Sequence, residues 1–190
     1  IASIGIQSIA LTEDEKTFVF VTGSPTTQFP IDLSIMTFNE GQKDPSSSLS
    51  FPLLPKDSRD DGLEDSAIKI TRDSNFVFCA NRYLMTYNII NRASPLLVSL
   101  YNLTDLQPQG IVLSKDEKIL YLFGVSIKTP NLKKIQIFDV SDLQTPKILS
   151  SVDFNQTAKS IDLMQLNPEG SMLYLGFSSG ILMVDIRVTA

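Results

Sequence analysis

Five carboxylates crowd into residues 57–65: Asp57, Asp60, Asp61, Glu64 and Asp65, within the polar stretch "LPKDSRDDGLED" at 54–65. Clustered acids are the ordinary ligands of a hard divalent cation, but an EF-hand loop sets them at alternate positions before its glycine. These acids do not alternate, so a solvated acidic loop is the better reading. Two further carboxylates, Asp139 and Asp185, close apolar runs whose sister runs close with Asn39 and Asn88. A position that takes Asn as readily as Asp needs no charge. It fits a side chain that accepts hydrogen bonds from backbone amides of the following turn. Cys79, the sole cysteine, sits at an apolar strand position and is expected to be a buried, inert thiol. The chain contains no histidine, which removes the commonest general base near neutral pH and every Ser-His or Cys-His pair. It also lacks a glycine-rich phosphate loop and a His/Cys set for zinc. The expectation is therefore a protein that is not an enzyme and carries no cofactor or metal.

Charge and composition narrow the partners. The net charge is −5, from 16 Lys+Arg against 21 Asp+Glu, and no basic cluster is present, which argues against a nucleic-acid surface. The apolar runs are each a handful of residues, too short to span a bilayer as a helix. One cysteine rules out an internal disulfide framework without fixing the compartment. Two sequons, Asn102-Leu103-Thr104 and Asn155-Gln156-Thr157, would be glycan acceptors in a secretory setting. A surface or secreted location is preferred slightly over an intracellular one. The opening Ile1-Ala2-Ser3-Ile4 reads as the start of a processed form or of a segment of a longer polypeptide.

Self-comparison is the most informative step. An apolar residue, then Ser/Thr/Asn, any residue and an acid, recurs before a new apolar run. The copies are Leu11-Thr12-Glu13-Asp14, Ile70-Thr71-Arg72-Asp73, Leu113-Ser114-Lys115-Asp116 and Leu166-Asn167-Pro168-Glu169. Their anchors lie 59, 43 and 53 residues apart. Downstream of each comes a second block: Ile35–Asn39, Leu84–Asn88, Ile135–Asp139 and Ile181–Asp185. In three copies a proline follows, Pro45, Pro95 or Pro146, and then another apolar run. The runs are short, rich in Val, Ile, Phe and Tyr, and bounded by turn residues, so they read as strands rather than helices. In the third unit they are expected near 109–113, 119–123, 134–140 and 147–153. Ser178-Ser179-Gly180 is expected to be a three-residue hairpin loop, and Asn81-Arg82 a tighter one with Asn81 at positive φ.

Repeated four-stranded antiparallel units of this length are the blades of a β-propeller. The expected fold is all-β, a propeller of four-stranded antiparallel blades, either a four-bladed ring or part of a six- to eight-bladed one. The units are approximately 6–53, 66–101, 109–153 and 158–190, with 1–5 as a closing strand or the tail of a preceding blade. The fourth unit has three strands. The segment "IFDVSDLQTPKILSSV" at 137–152 resembles the LVIVD-repeat propellers, and "ILMVDI" at 181–186 matches that core. "LSKDEKILYL" at 113–122 is similar to the YVTN and lactonase-like propellers. The resemblance implies a fold; Asn39 and Asn88 depart from its aspartate.

In an up-and-down meander, first and third turns share one face, and second turns and linkers share the other. The first turns are nearly uniform. The other face carries the variable segments 23–32, 54–65 and 124–133, and variation concentrated on one face of a repeat protein marks a binding surface. Candidate interaction residues are Thr26, Gln28, Asp57, Arg59, Asp60, Asp61, Arg82, Lys128, Lys133 and Lys134, the last three forming with Arg82 a small basic area. The expected role is protein binding or scaffolding, with another protein as partner and further blades from a longer parent chain. A lactonase or hydrolase-like propeller whose catalytic residues lie elsewhere is the alternative, as is a structural part of a large assembly. Tyr121 and Tyr174, at one repeat position, are expected to be packing residues.

Overall fold

The computed structural model describes residues 5–23, 32–38, 44–52, 66–129, 132–155, 163–178 and 180–187. Among these residues every regular element is a β-strand, so no helix is long and apolar enough to cross a membrane. The first sheet comprises β1 (Gly5–Leu11), β2 (Thr17–Gly23), β3 (Asp32–Thr37) and β4 (Ser47–Pro52). The second comprises β5 (Ala67–Ile70), β6 (Phe76–Ala80), β7 (Tyr83–Asn88) and β8 (Leu96–Asn102). The third comprises β9 (Gln107–Leu113), β10 (Ile119–Val125), β11 (Leu132–Asp139) and β12 (Lys147–Asn155). β13 (Leu163–Leu166), β14 (Met172–Phe177) and β15 (Gly180–Asp185) form the fourth, with three strands among the described residues. Each sheet is an antiparallel meander in chain order, which is the construction of a propeller blade. The fold is an all-β propeller architecture.

The chain divides into two compact units, residues 1–100 and 101–190. In the first unit, Val19, Val21, Leu33 and Ile35 of one sheet meet Ile68, Ile70, Val77, Met85 and Tyr87 of the next. In the second, Val112, Tyr121, Phe123 and Ile135 meet Leu173, Leu175 and Phe177. Phe123 lies edge-on to Phe177, with ring centroids 5.9 Å apart, and is fully buried. Removing such a side chain from water stabilises the fold by about 2–3 kcal/mol. Period-two alternation explains the pattern: successive residues of a strand point to opposite faces, so each apolar run supplies a core face.

Glycine is required at one close approach. The β9–β10 register shifts between Phe123 and Gly124, and a Cβ on Gly124 would lie 2.0 Å from the Gln107 carbonyl oxygen. Two turn expectations need correction. Phe177 pairs directly with Gly180, so Gly180 opens β15 at φ +144° instead of lying in the loop. Asn81 is not at positive φ; its Oδ1 accepts the Tyr83 amide at 2.9 Å, and that bond closes the hairpin instead. The closing strand expected at 1–5 lies, apart from Gly5, outside the described residues.

Candidate functional site

The recurring Ser/Thr-x-Asp block is a turn built by its own side chains. Thr71 Oγ1 donates to Asp73 at 2.6 Å and accepts the Phe76 amide at 3.0 Å, while Asp73 accepts the Asn75 amide at 3.0 Å. Thr12 with Asp14, and Ser114 with Asp116, repeat these bonds. In the fourth copy Asn167 replaces the hydroxyl, and its Oδ1 accepts the Ser171 and Met172 amides at 2.8 and 2.9 Å. The fourth residue of each turn is left-handed, at φ 57° for Glu15, 60° for Ser74, 59° for Glu117 and 71° for Gly170. Its amide returns to the carbonyl of the first residue at 2.9–3.0 Å. The Thr12 and Ser114 hydroxyls are the main reason that Asp14 and Asp116 stay below the usual carboxylate range. These carboxylates are committed to architecture.

The strand-ending Asx residues behave as expected. Asn88 Oδ1 accepts the Ile90 amide at 2.9 Å, Asp139 Oδ1 accepts the Ser141 amide at 2.9 Å, and Asp185 Oδ1 accepts the Arg187 amide at 3.0 Å. Asp185 also pairs with the Arg187 guanidinium, and these bonds hold its carboxyl down to about 2. Asn39 lies outside the described residues. Cys79 is buried, and burial pushes its thiol far up, which leaves it unreactive as a nucleophile.

Of the candidate interaction residues, Thr26, Gln28, Asp57, Arg59, Asp60 and Asp61 lie outside the described residues. Among the described residues, no group of three or more His, Cys, Asp or Glu is placed to hold a metal ion. Arg82 is half-buried in the β6–β7 hairpin of the first unit. In the second unit Lys128 is exposed on the β10–β11 loop, whereas Lys133 and Lys134 are buried at the start of β11, 3% and 8% exposed. These two lysines therefore do not form an open basic area.

Lys134 belongs to a network that the sequence reading missed. Its Nζ donates to Asp105 Oδ2 at 2.6 Å and lies 3.5 Å from Asp153 Oδ1. Asp105 Oδ1 accepts the Ser126 hydroxyl at 2.9 Å and the Lys128 amide at 3.0 Å, and Ser126 Oγ in turn accepts the Thr129 amide at 3.0 Å. Burial works against the charge on Asp105, but Lys134, the Lys128 amide and Ser126 outweigh it and hold the carboxyl at about 2. Asp105 in turn holds the Lys134 ammonium above the ordinary lysine range. One carboxylate thus ties the linker after β8 to the loop between β10 and β11. The loop's tip presents Ile127, 47% exposed, beside exposed Lys128 and Thr129. Asp105 occupies no repeated position, and nothing local in the sequence marks it.

A cleft of about 880 Å³ lies in the first unit, lined by Glu13, Leu49, Arg72, Asn75, Ile90 and Arg92, among others. It opens beside the uniform first turns, and its lining mixes both charges with apolar groups.

No family model and no curated protein matches the chain. Solved structures do. A functionally unknown protein from Desulfotomaculum acetoxidans is 18% identical with a TM-score of 0.56, over 96% of this chain and 69% of that one. The periplasmic gluconolactonase of Pseudomonas aeruginosa is 12% identical with a TM-score of 0.67, over 96% of this chain and 54% of that one. A protein from Lactobacillus plantarum matches equally well, at 12% identity and a TM-score of 0.67, over 96% of this chain and 52% of that one. The chain spans about half the length of the last two. At these identities the likeness defines a class, the β-propeller fold.

Proposed function

We propose that this chain is a non-enzymatic, protein-binding segment of a β-propeller scaffold, acting through the loop face that carries residues 126–129. The observation that carries the reading is the Asp105 anchor. It fixes the β10–β11 loop through three donors and leaves Ile127 and Lys128 outward, an apolar and a cationic group on a held backbone. A preorganised loop loses little freedom on binding, which favours recognition of a protein surface. The turn aspartates give the same reading indirect support: Asp14, Asp73 and Asp116 already accept from hydroxyl and backbone donors. We assign the repeat to the LVIVD type, supported by Asp139 capping Ser141 and by Pro146 immediately before β12.

The test is site-specific photo-cross-linking in the native host. A photoreactive residue at Ile127 is expected to trap a discrete protein, and one at Pro168, on the uniform turns, is not. Equal adducts at both positions, or none at Ile127, would remove the loop face from consideration. One observation favours a hydrolytic alternative, the shared fold with a gluconolactonase. Hydrolysis of gluconolactone by the purified protein, surviving loss of the turn carboxylates, would establish it.

A further inference from the structure

The repeat allows each position to be compared with itself in another blade. Ile135 and Ile181 hold the same place in the third and fourth sheets, yet Ile135 is 1% exposed and Ile181 is 73% exposed. Register places Ile181 with Leu163, Tyr174 and Met183 on one face of the fourth sheet. Its opposite face, with Met164, Leu173, Leu175 and Leu182, is the one packed in the core of the second unit. Leu163 and Met183 are 54% and 62% exposed. Within the same unit, Ile135, Tyr121 and Phe123 face the fourth sheet and are buried.

The first unit shows the mirror case. Ile9 and Leu11 of β1 correspond to Ile68 and Ile70 of β5, yet they are 56% and 43% exposed against 6% and 7%. Ile68 and Ile70 are covered because the first sheet lies on them. Ile9 and Leu11 point away from that core, on the face that also carries Ile6 and Phe18. Two terminal sheets thus each carry an apolar face whose repeat counterpart, inside the same unit, is covered by a blade. Patches of this kind mark an interface, and the interior counterparts show what shape of partner fits.

We propose that a further four-stranded blade of the same polypeptide packs on each of these faces, on β1 through Ile9 and Leu11 and on β15 through Ile181 and Met183. The size of the missing partner agrees, since the gluconolactonase and the Lactobacillus plantarum protein, each matched over 96% of this chain, are covered by it over only 54% and 52% of their length, and the Desulfotomaculum acetoxidans protein over 69%. The inference is independent of the protein-binding reading, because it uses none of the residues that build the Ile127 loop.

Cysteine labelling read at each introduced position by peptide mapping tests it, since Cys79 is the only cysteine of these 190 residues and is buried. Ile9→Cys and Ile181→Cys are introduced singly into the full polypeptide that the gene encodes, with Ile127→Cys as the exposed reference. Labelling at Ile9→Cys and Ile181→Cys is expected to be at least tenfold slower than at Ile127→Cys. Ile6→Cys and Met183→Cys serve if the first pair fails to fold, which labelling of Cys79 would reveal. Labelling as fast as the reference, or a gene that encodes no further strands, overturns the proposal. So does protection already present in the 190-residue chain. In that event a doubled mass by light scattering assigns the faces to a second copy, and a single mass assigns them to closure within the chain.

Discussion

The first turns and the β10–β11 loop use the same device, a carboxylate that accepts hydrogen bonds from hydroxyl and backbone donors. They differ in reach. Asp73 takes its donors from Thr71 and Asn75, each two residues away, on an exposed turn. Asp105 takes its donors from Ser126, Lys128 and Lys134, separated by 21, 23 and 29 residues, in a half-buried setting. The local version closes a turn that each blade needs. The long-range version holds a loop that, among the described residues, only the third blade has in this form. Water screens the first and largely leaves the second, so equal chemistry carries unequal weight.

The largest effect is expected at Asp105. Asp105→Ala leaves the Lys134 ammonium buried with only the 3.5 Å Asp153 contact, and it should cost about 3 kcal/mol in urea unfolding. Adding Lys134→Met should restore most of that loss, since removing both charges is far milder than stranding one. If Asp105→Ala costs no more than Thr71→Ala, the contrast between the two carboxylate devices collapses.

Acid should show the same anchor by titration. The folded carboxyl of Asp105 sits at about 2, below its ordinary 3.8. Its contribution is therefore complete above pH ~4 and is lost as pH falls through about 2, a change of about 2 kcal/mol. Lys134 has the opposite sign: its contribution holds below the ordinary lysine value and fades as pH rises through the raised one. Unfolding free energy measured from pH 5 to 2 should fall less steeply in Asp105→Asn than in the parent protein.

The turns should yield smaller numbers. Thr71→Ala deletes the hydroxyl that donates to Asp73 and accepts the Phe76 amide, at about 1 kcal/mol, and Thr71→Ser should recover it. Chemical denaturation of the two variants separates the hydroxyl from the methyl. Smallest of all is Glu15→Gly. Glu15 holds φ 57° where the fourth copy has Gly170, so relief of the left-handed backbone should raise stability by under about 1 kcal/mol in the same assay. A loss would mean that the glutamate side chain, and not its backbone, matters there.

How much of this was legible follows from the same contrast in reach. The Thr71, Ser114 and Asn167 turns, and the amide caps at Asn88, Asp139 and Asp185, were readable because donor and acceptor lie within five residues and recur in register. Asn81 was misread: Asn tolerates positive φ, but here its side chain bonds the Tyr83 amide and the backbone has no need of that conformation. Gly180 was placed in a loop because nothing local distinguishes a loop glycine from one that opens a strand; the Phe177 pairing does. From the sequence, Lys133 and Lys134 belong to an open basic area, because a strand sequence does not say which of its ends are covered. The same limit applies to Ile135 and Ile181, identical in type and repeat position, one buried and the other open.

By itself, then, the sequence determined the blade. Period-two apolar runs and their turn residues act over a few residues and leave an antiparallel meander as the economical structure, and the recurrence of the copies repeats it along the chain. Tertiary structure alone decided which charges are buried, which loop is anchored and which apolar face stands uncovered. Those outcomes depend on what lies across a 10 Å gap between sheets or some twenty residues away along the chain, and neither separation leaves a periodic trace.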